Sequence, residues 1–303
     1  MENNKIRWEM GVGLGYNGNK SEAKRKLDYI VELGYSVILA SLFNEKERRL
    51  LTGEEIEEFS EILKEYSVEV YTTHAIWLTE EPNKPISEIL PFQESIIEKA
   101  FILGAKCLTY HFGLCKGLQE GEDFAFGKCL NRYKVSLEDF RKLSIYALKE
   151  TCRKAKKYGI TVTIENLPAG CLCDLGTTVK DLLEIIKEVD EQNLGICFDS
   201  GHAFISGLNL FKELSKIGGY LFETHFHDNI GRISDQNIIN DLHQPVGIGI
   251  INWIEVITGL KTINFSKPVV FEISSDENTL TVNKLNWERF LKIYEEKFSK
   301  WEF

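Results

Sequence analysis

Thr161-Val162-Thr163-Ile164-Glu165-Asn166 is the stretch whose reading decides the fold. Val162 and Ile164 alternate with Thr161, Thr163 and Glu165, the two-residue period of a strand built from β-branched side chains. The strand delivers a carboxylate at its end. A buried carboxylate is costly unless it is paired or bound to a cation, so Glu165 implies partners brought in from elsewhere in the chain. Upstream, Leu137–Tyr158 has the apolar spacing of a helix, with Ser136 as N-cap and Gly159 just past its end. Downstream, a second helical pattern at Thr178–Val189 leads into a strand-like run, Leu194–Asp199, that again ends in an acid.

The same alternation runs through the whole chain. Strands are expected at Trp8–Leu14, Ser36–Leu42, Val68–Ala75, Cys107–Gly113, Thr161–Leu167, Leu194–Asp199, Leu221–Asp228 and Val269–Ser274. Amphipathic helices are expected at Ser21–Leu33, Glu54–Tyr66, Ile86–Leu103, Leu137–Tyr158, Thr178–Val189, Leu210–Ile217, Ile251–Leu260 and Leu280–Phe298, with Thr52 and Glu55 at capping-box spacing before the second. Eight strand–helix units predict an α/β protein, a (β/α)8 TIM barrel forming a single domain over residues 1–303. A doubly wound open sheet is the runner-up, but it does not usually hold eight units in this length. Parity agrees with a barrel. Leu108 and Tyr110, Val162 and Ile164, and Val269, Phe271 and Ile273 form outward sets, which leaves His111, Glu165 and Glu272 facing the axis.

Composition bounds the function. The balance of 46 acidic against 36 basic residues, a net charge of −10, gives no general attraction to nucleic acid or to anionic membranes. No apolar run reaches the length of a membrane span, and the first residues lack the apolar core of a signal peptide. Seven cysteines show no pairing pattern. Cys107, Cys152 and Cys197 sit in apolar runs and read as reduced packing residues of a cytoplasmic protein; Cys171-Leu172-Cys173 reads as a pair of loop thiols.

The chemistry gathers at the strand ends, the face on which barrel active sites form. In chain order the candidates are His74, His111, Glu165, Asp199, His202, His225, Asp241, His243 and Glu272; five of the six histidines are among them, and the sixth, His227, is expected to share a face with His225. Imidazole with carboxylate suits zinc, manganese, iron or cobalt better than calcium or magnesium. Any one of these residues alone reads most simply as a satisfied core or surface group. Nine converging on one barrel face do not. Asp241 and His243 lie in a loop, and a solvated loop pair balances the metal reading there.

These motifs resemble the xylose-isomerase-like TIM barrels, which include sugar phosphate isomerases and epimerases and the endonuclease IV branch. The resemblance rests on Glu165-Asn166, on Gly195-Ile196-Cys197-Phe198-Asp199-Ser200-Gly201-His202-Ala203, on His225-Phe226-His227-Asp228-Asn229, on His243-Gln244-Pro245-Val246-Gly247-Ile248-Gly249 with Trp253, and on Phe271-Glu272. It implies one metal held by Glu165, Asp199, His225 and Glu272 in the epimerase branch, with His202 on the substrate. In the endonuclease branch it implies three zincs, held by those four with His74, His111, His202, Asp241 and His243. The cofactor implied is a divalent metal, Mn or Zn with Co, Fe or Mg open, one per chain favoured and up to three.

Asp-Ser-Gly-His-Ala and His-Asp-Asn look more like the sugar branch, and Leu167-Pro168-Ala169-Gly170 replaces the Gly-Gln expected after Glu-Asn in the endonuclease. The resulting expectation is a metal-dependent sugar or sugar-phosphate isomerase or epimerase in which Glu165 and Glu272 move the proton. His202, His74, His111 and Trp77 contact substrate, Gly247 and Gly249 let backbone approach it, and Arg232 or Lys116 would take a phosphate. The alternatives are an endonuclease IV-like hydrolase of abasic DNA, with Glu165 as a bridging ligand and the run Glu45–Arg49 near the DNA, and a non-catalytic metal- or sugar-binding barrel. A small carbohydrate is the expected partner, with no membrane; nucleic acid is disfavoured and a homo-oligomer is left open.

Overall fold

The computed structural model describes residues 6–44, 46–47, 49–76, 78–79, 81–112, 133–168, 175–231 and 241–298. Trp77, Lys116, Arg232 and the Cys171–Cys173 pair lie outside them. Eight strands form the sheet: β1 Met10–Leu14, β2 Val37–Ser41, β3 Glu69–Ile76, β4 Cys107–His111, β5 Thr161–Glu165, β6 Leu194–Asp199, β7 Leu221–His225 and β8 Val269–Phe271. All neighbouring pairs are parallel, in the order β8-β1-β2-β3-β4-β5-β6-β7. The barrel closes just past β7. Phe226 N–H donates to Val270 O (2.9 Å), and Glu272 N–H donates to Phe226 O (3.1 Å). The chain is therefore the (β/α)8 barrel read from its sequence.

The flanking helices are α1 Lys20–Glu32, α2 Gly53–Lys64, α3 Ile86–Leu103, α4 Leu137–Lys157, α5 Val179–Val189, the short α6 Ser200–Ile205, α7 Leu210–Ile217, α8 Trp253–Thr262 and α9 Glu277–Phe298. Their boundaries follow the capping chemistry. Thr52 and Glu55 form a reciprocal capping box before α2, and Ser136 accepts from Asp139 N–H at the start of α4. Gly34 and Gly159, both at positive φ, follow α1 and α4. None of the described helices is long and apolar enough to cross a membrane.

Side-chain parity divides the apolar residues into two layers. Leu108, Tyr110, Val162, Ile164, Val269 and Phe271 join the main core against the helices, whereas Val37, Leu39, Tyr71, Cys107 and Val270 form a smaller separate cluster. Above that cluster the strands carry polar side chains: Thr109, Thr163, Glu165, Glu223 and His225 are all fully buried. The strands thus end in an enclosed polar layer. Cys107, Cys152 and Cys197 are free and buried; Cys107 and Cys152 pack in the apolar clusters, whereas Cys197 lies beside Glu223 and His225.

Three described elements go beyond the sequence expectations: a hairpin of two-residue strands, Phe43–Asn44 against Arg49–Leu50, the short helix α6 and a 3-10 turn at Gly218–Tyr220. The strands at Cys107, Thr161, Leu221 and Val269 also stop two or three residues earlier than their apolar runs. The chain there turns away to present site residues.

Candidate metal centre

Glu165, the last residue of β5, is wholly buried. Its Oε2 lies 3.1 Å from His74 Nε2 on β3, 3.2 Å from His111 Nε2 at the end of β4, and 3.1 Å from His225 Nδ1 at the end of β7. Its Oε1 lies 3.1 Å from His202 Nδ1. Four imidazoles thus converge on the carboxylate that ends the central strand.

The motif Asp199-Ser200-Gly201-His202 is explained residue by residue. β6 ends at Asp199, whose Oδ1 accepts from His202 N–H (2.6 Å) and so caps α6. One helical turn then places His202 beside the acid. Ser200 Oγ bridges to the next strand end, donating to His227 O (2.9 Å) and accepting from His227 N–H (3.1 Å). Gly201 is required by contact: a Cβ there would stand 1.9 Å from the His227 ring. Asn166 fixes the Asp199 backbone at two points, donating to Asp199 O (2.9 Å) and accepting from Asp199 N–H (2.8 Å).

Asp241 and His243 arrive on the loop after β7, and Asp228 holds that loop. Asp228 accepts from Asn229 N–H, Ile251 N–H, Gly247 N–H and Trp253 Nε1–H at 2.8–3.1 Å. Gly249 lies against this carboxylate, and a Cβ there would meet Asn229 O and Asp228 Oδ1 at 2.3 Å. The close backbone approach expected of Gly249 therefore serves the loop's own packing, and Gly247 packs against Asn286 and Phe290 rather than facing a ligand. His243 adopts φ +42°, a left-handed conformation uncommon for a non-glycine residue. In it His243 Nδ1–H donates to Glu272 O (2.8 Å), and Nε2 reaches Asp241 Oδ2 (2.9 Å). His202 is arranged the same way, with Nδ1 on Asn166 O (3.0 Å) and Nε2 on Asp241 Oδ2 (3.0 Å).

Among the described residues the donors fall into overlapping sets whose ligand atoms lie within 4.8 Å of one another. An inner set is Glu165, Asp199, His225 and Glu272, and His74 shares Glu165 and His225 with it. An outer set is His202, His227, Asp241 and His243. His227 thus joins the outer set rather than standing beside His225. Its Nε2 is 3.0 Å from Asp199 Oδ1, and its ring stacks on His243 at 4.1 Å. The backbone leaves the strand at His225, so the two-residue period no longer applies.

These residues fit a divalent cation on their own chemistry. Glu165 Oε1, His225 Nδ1 and Asp241 Oδ1 are buried and have no hydrogen-bond partner among the described residues. Without a cation, protons must balance the buried charge. Burial works against ionisation of Glu165, but His225 and His111 outweigh it and hold the acid well below the carboxylate range. Burial likewise opposes charge on His225, yet Cys197, Glu165, Glu272 and Glu223 raise it well above the usual imidazole value. His243, also opposed by burial, is raised to about 10 by Asp241 and Glu272.

A cavity of about 680 Å³ opens over the cluster. Its lining includes His74, His111, His202, Asp241, His243 and Glu272, together with Gly13, Tyr16, Ser41, Ser274 and the charged pair Glu22 and Lys26. Glu165, Asp199 and His225 lie beneath its floor. Of the charged run after β2, Arg49 pairs with Glu47 and, at 2.7 Å, with Glu55, and Lys46 lines the cavity.

Residue 223 is the site residue that the sequence reading passed over. Glu223 is fully buried two positions before His225, and its Oε1 lies 2.8 Å from His225 Nε2. An acid inside an apolar strand with the parity of a candidate ligand was the available signal.

Comparison with known proteins agrees with this architecture. Residues 27–292 match the xylose isomerase-like TIM barrel family, and the chain belongs to it. An uncharacterized protein of Methanocaldococcus jannaschii (MJ1311) is 35% identical over 157 residues, 51% of this chain and 50% of its own length. A probable endonuclease 4 of Buchnera aphidicola is 30% identical over 146 residues, 44% of this chain and 48% of that protein. The aligned stretches thus span about half the length of these curated relatives. Among solved structures, a D-tagatose 3-epimerase-like protein superposes with a TM-score of 0.71 at 24% identity, covering 95% of this chain and 99% of that one. An L-ribulose 3-epimerase superposes with a TM-score of 0.74 at 15% identity, covering 98% and 99%. At these identities the structural likeness establishes the fold.

Proposed function

We propose that this chain is a divalent-metal-dependent isomerase or epimerase of a sugar or sugar phosphate, and that Glu272 is the group that moves the proton. One observation carries the reading: Glu272 belongs to the inner donor set and also lines the cavity, whereas its partner acid Glu165 is sealed beneath the floor. Glu165, Asp199, His225 and Glu272 would hold the cation, and it would supply Lewis acidity toward a carbonyl beside the reacting C–H bond.

The chain's own residues do the rest. Burial opposes ionisation of Glu272, but His225 and His243 hold its acid well below the ordinary range, so it meets the substrate as a carboxylate able to accept a proton. Its side chain is 26% exposed, enough to reach a bound ligand. Glu165 holds the imidazoles in place from below. His74 and His111 line the cavity, where they would meet substrate hydroxyls. The similarly folded D-tagatose 3-epimerase-like protein and L-ribulose 3-epimerase support this choice of chemistry.

A second reading has its own observation. The outer set of His202, His227, Asp241 and His243 gives the centre capacity for more than one cation, and a probable endonuclease 4 is among the relatives. Phosphodiester hydrolysis is the reading that capacity favours. Incubation with a ketose panel in deuterated water, with Mn or Zn restored, separates the two. The expected result is label at the carbon beside the carbonyl, reduced about 100- to 10,000-fold by Glu272→Gln. No exchange with any sugar, together with nicking of an abasic duplex, would replace the first reading by the second.

A further inference from the structure

We infer that Glu223 is a positioning residue for the inner cation, setting which nitrogen of His225 is free to bind it. An imidazole presents one lone pair when neutral, and the hydrogen bond made by its other nitrogen decides which. His225 is fully buried, with one nitrogen on each side of this choice. Nε2 lies 2.8 Å from Glu223 Oε1. Nδ1 has no hydrogen-bond partner among the described residues and faces Glu165 Oε2 at 3.1 Å and Glu272 Oε2 at 3.4 Å. A carboxylate can only accept, so Glu223 takes the Nε2–H and turns the Nδ1 lone pair toward the inner donor set.

Glu223 is itself built into the barrel. Its Oε2 accepts from Thr163 Oγ1 (3.1 Å) on β5 and from Thr109 Oγ1 on β4, and the two hydroxyls lie 2.7 Å apart. Burying an acid costs folding free energy unless it is paired, and among the described residues Glu223 has His225 as its ion-pair partner. Its location is accounted for if it serves the cation above it. Two other imidazoles of the centre are held differently: His202 and His243 have Nδ1 fixed by backbone carbonyls and turn Nε2 to Asp241. His225 has the opposite presentation, with an acid behind Nε2.

The inference rests on the metal-dependent reading of the site but not on the sugar chemistry, so its test uses Zn(II) alone. Competition with a chromophoric chelator should show E223Q binding its tightest Zn(II) about 10- to 100-fold more weakly than wild type. Its metal-free melting temperature should fall, because the acid that pairs with the His225 imidazole is lost, so affinity is read on the folded variant. Selective ¹⁵N-histidine labelling of the Zn-loaded wild type should show His225 protonated at Nε2 and metal-shifted at Nδ1. Should E223Q not fold, the double variant T109V/T163V, which frees the Glu223 carboxylate, should weaken Zn(II) binding in the same direction. Zn(II) affinity within twofold of wild type in the folded variant, or His225 bound through Nε2, overturns the inference. Loss of affinity without sugar exchange in wild type would instead retire only the proposed reaction.

Discussion

Asn166 has no metal-binding chemistry of its own, yet it ties two strand ends together. Its amide makes both hydrogen bonds available on the Asp199 backbone, and Asp199 in turn caps the turn that carries His202. Asn166→Ala leaves a buried N–H and C=O unpaired, a cost of about 1–3 kcal/mol. It should also weaken metal binding by about 10- to 100-fold, read by chelator competition on the folded variant. At this scale the sequence was most legible where a residue ends a strand. Glu165, Asp199 and His225 could be picked out because each follows an apolar run directly. Glu223 was not, because an acid inside a run looks like a mere interruption. The role of His227 was misplaced because strand parity was extended past the point where the backbone bends.

The second helix shows how a local cap acts on the elements around the site. Thr52 and Glu55 close the start of α2, and Glu55 also accepts from Arg49 in the rim hairpin at 2.7 and 2.9 Å. Thr52→Ala should cost about 0.5–2 kcal/mol in chemical denaturation. The Arg49 hydrogen bond, against partial burial and with help from Thr52 N–H, holds the Glu55 acid down to about 2 from 4.5. A depressed folded-state value stabilises above the unfolded one and is lost as pH falls through it. The acid limb between about 4.5 and 2 should therefore flatten in Glu55→Gln, measured as melting temperature against pH. Helices with such caps were readable to within a residue or three. α6 was not, because six residues are too few to show a 3.6-residue period. The Phe43–Leu50 hairpin was hidden for the same reason.

The whole molecule depends on closing the sheet between its last strands. Behind that seam Phe226, Phe271, Trp253 and Trp287 pack edge to face or tilted, with centroids 5.4–6.4 Å apart. The closing hydrogen bonds run through Phe226 and Glu272, so this aromatic wall also sets the height of the proposed base. Trp287→Ala should cost about 3–5 kcal/mol and Trp287→Phe much less, since Trp287 Nε1 has no partner to lose among the described residues; thermal melts would compare them. The barrel was legible because eight apolar runs alternate with eight amphipathic ones, a pattern few other architectures satisfy. The grouping of donors into inner and outer sets was not, because it depends on distances across the barrel that spacing along the chain does not encode.

The central claim is that the carboxylates and imidazoles around Glu165 are a divalent-metal centre. Metal content per chain, measured after stripping with chelator and reloading with zinc or manganese, tests it directly, with Glu165→Gln alongside wild type. At least one tightly held cation in wild type, lost in Glu165→Gln, is expected. A folded wild-type chain that retains none, or a variant that retains as many, would contradict it.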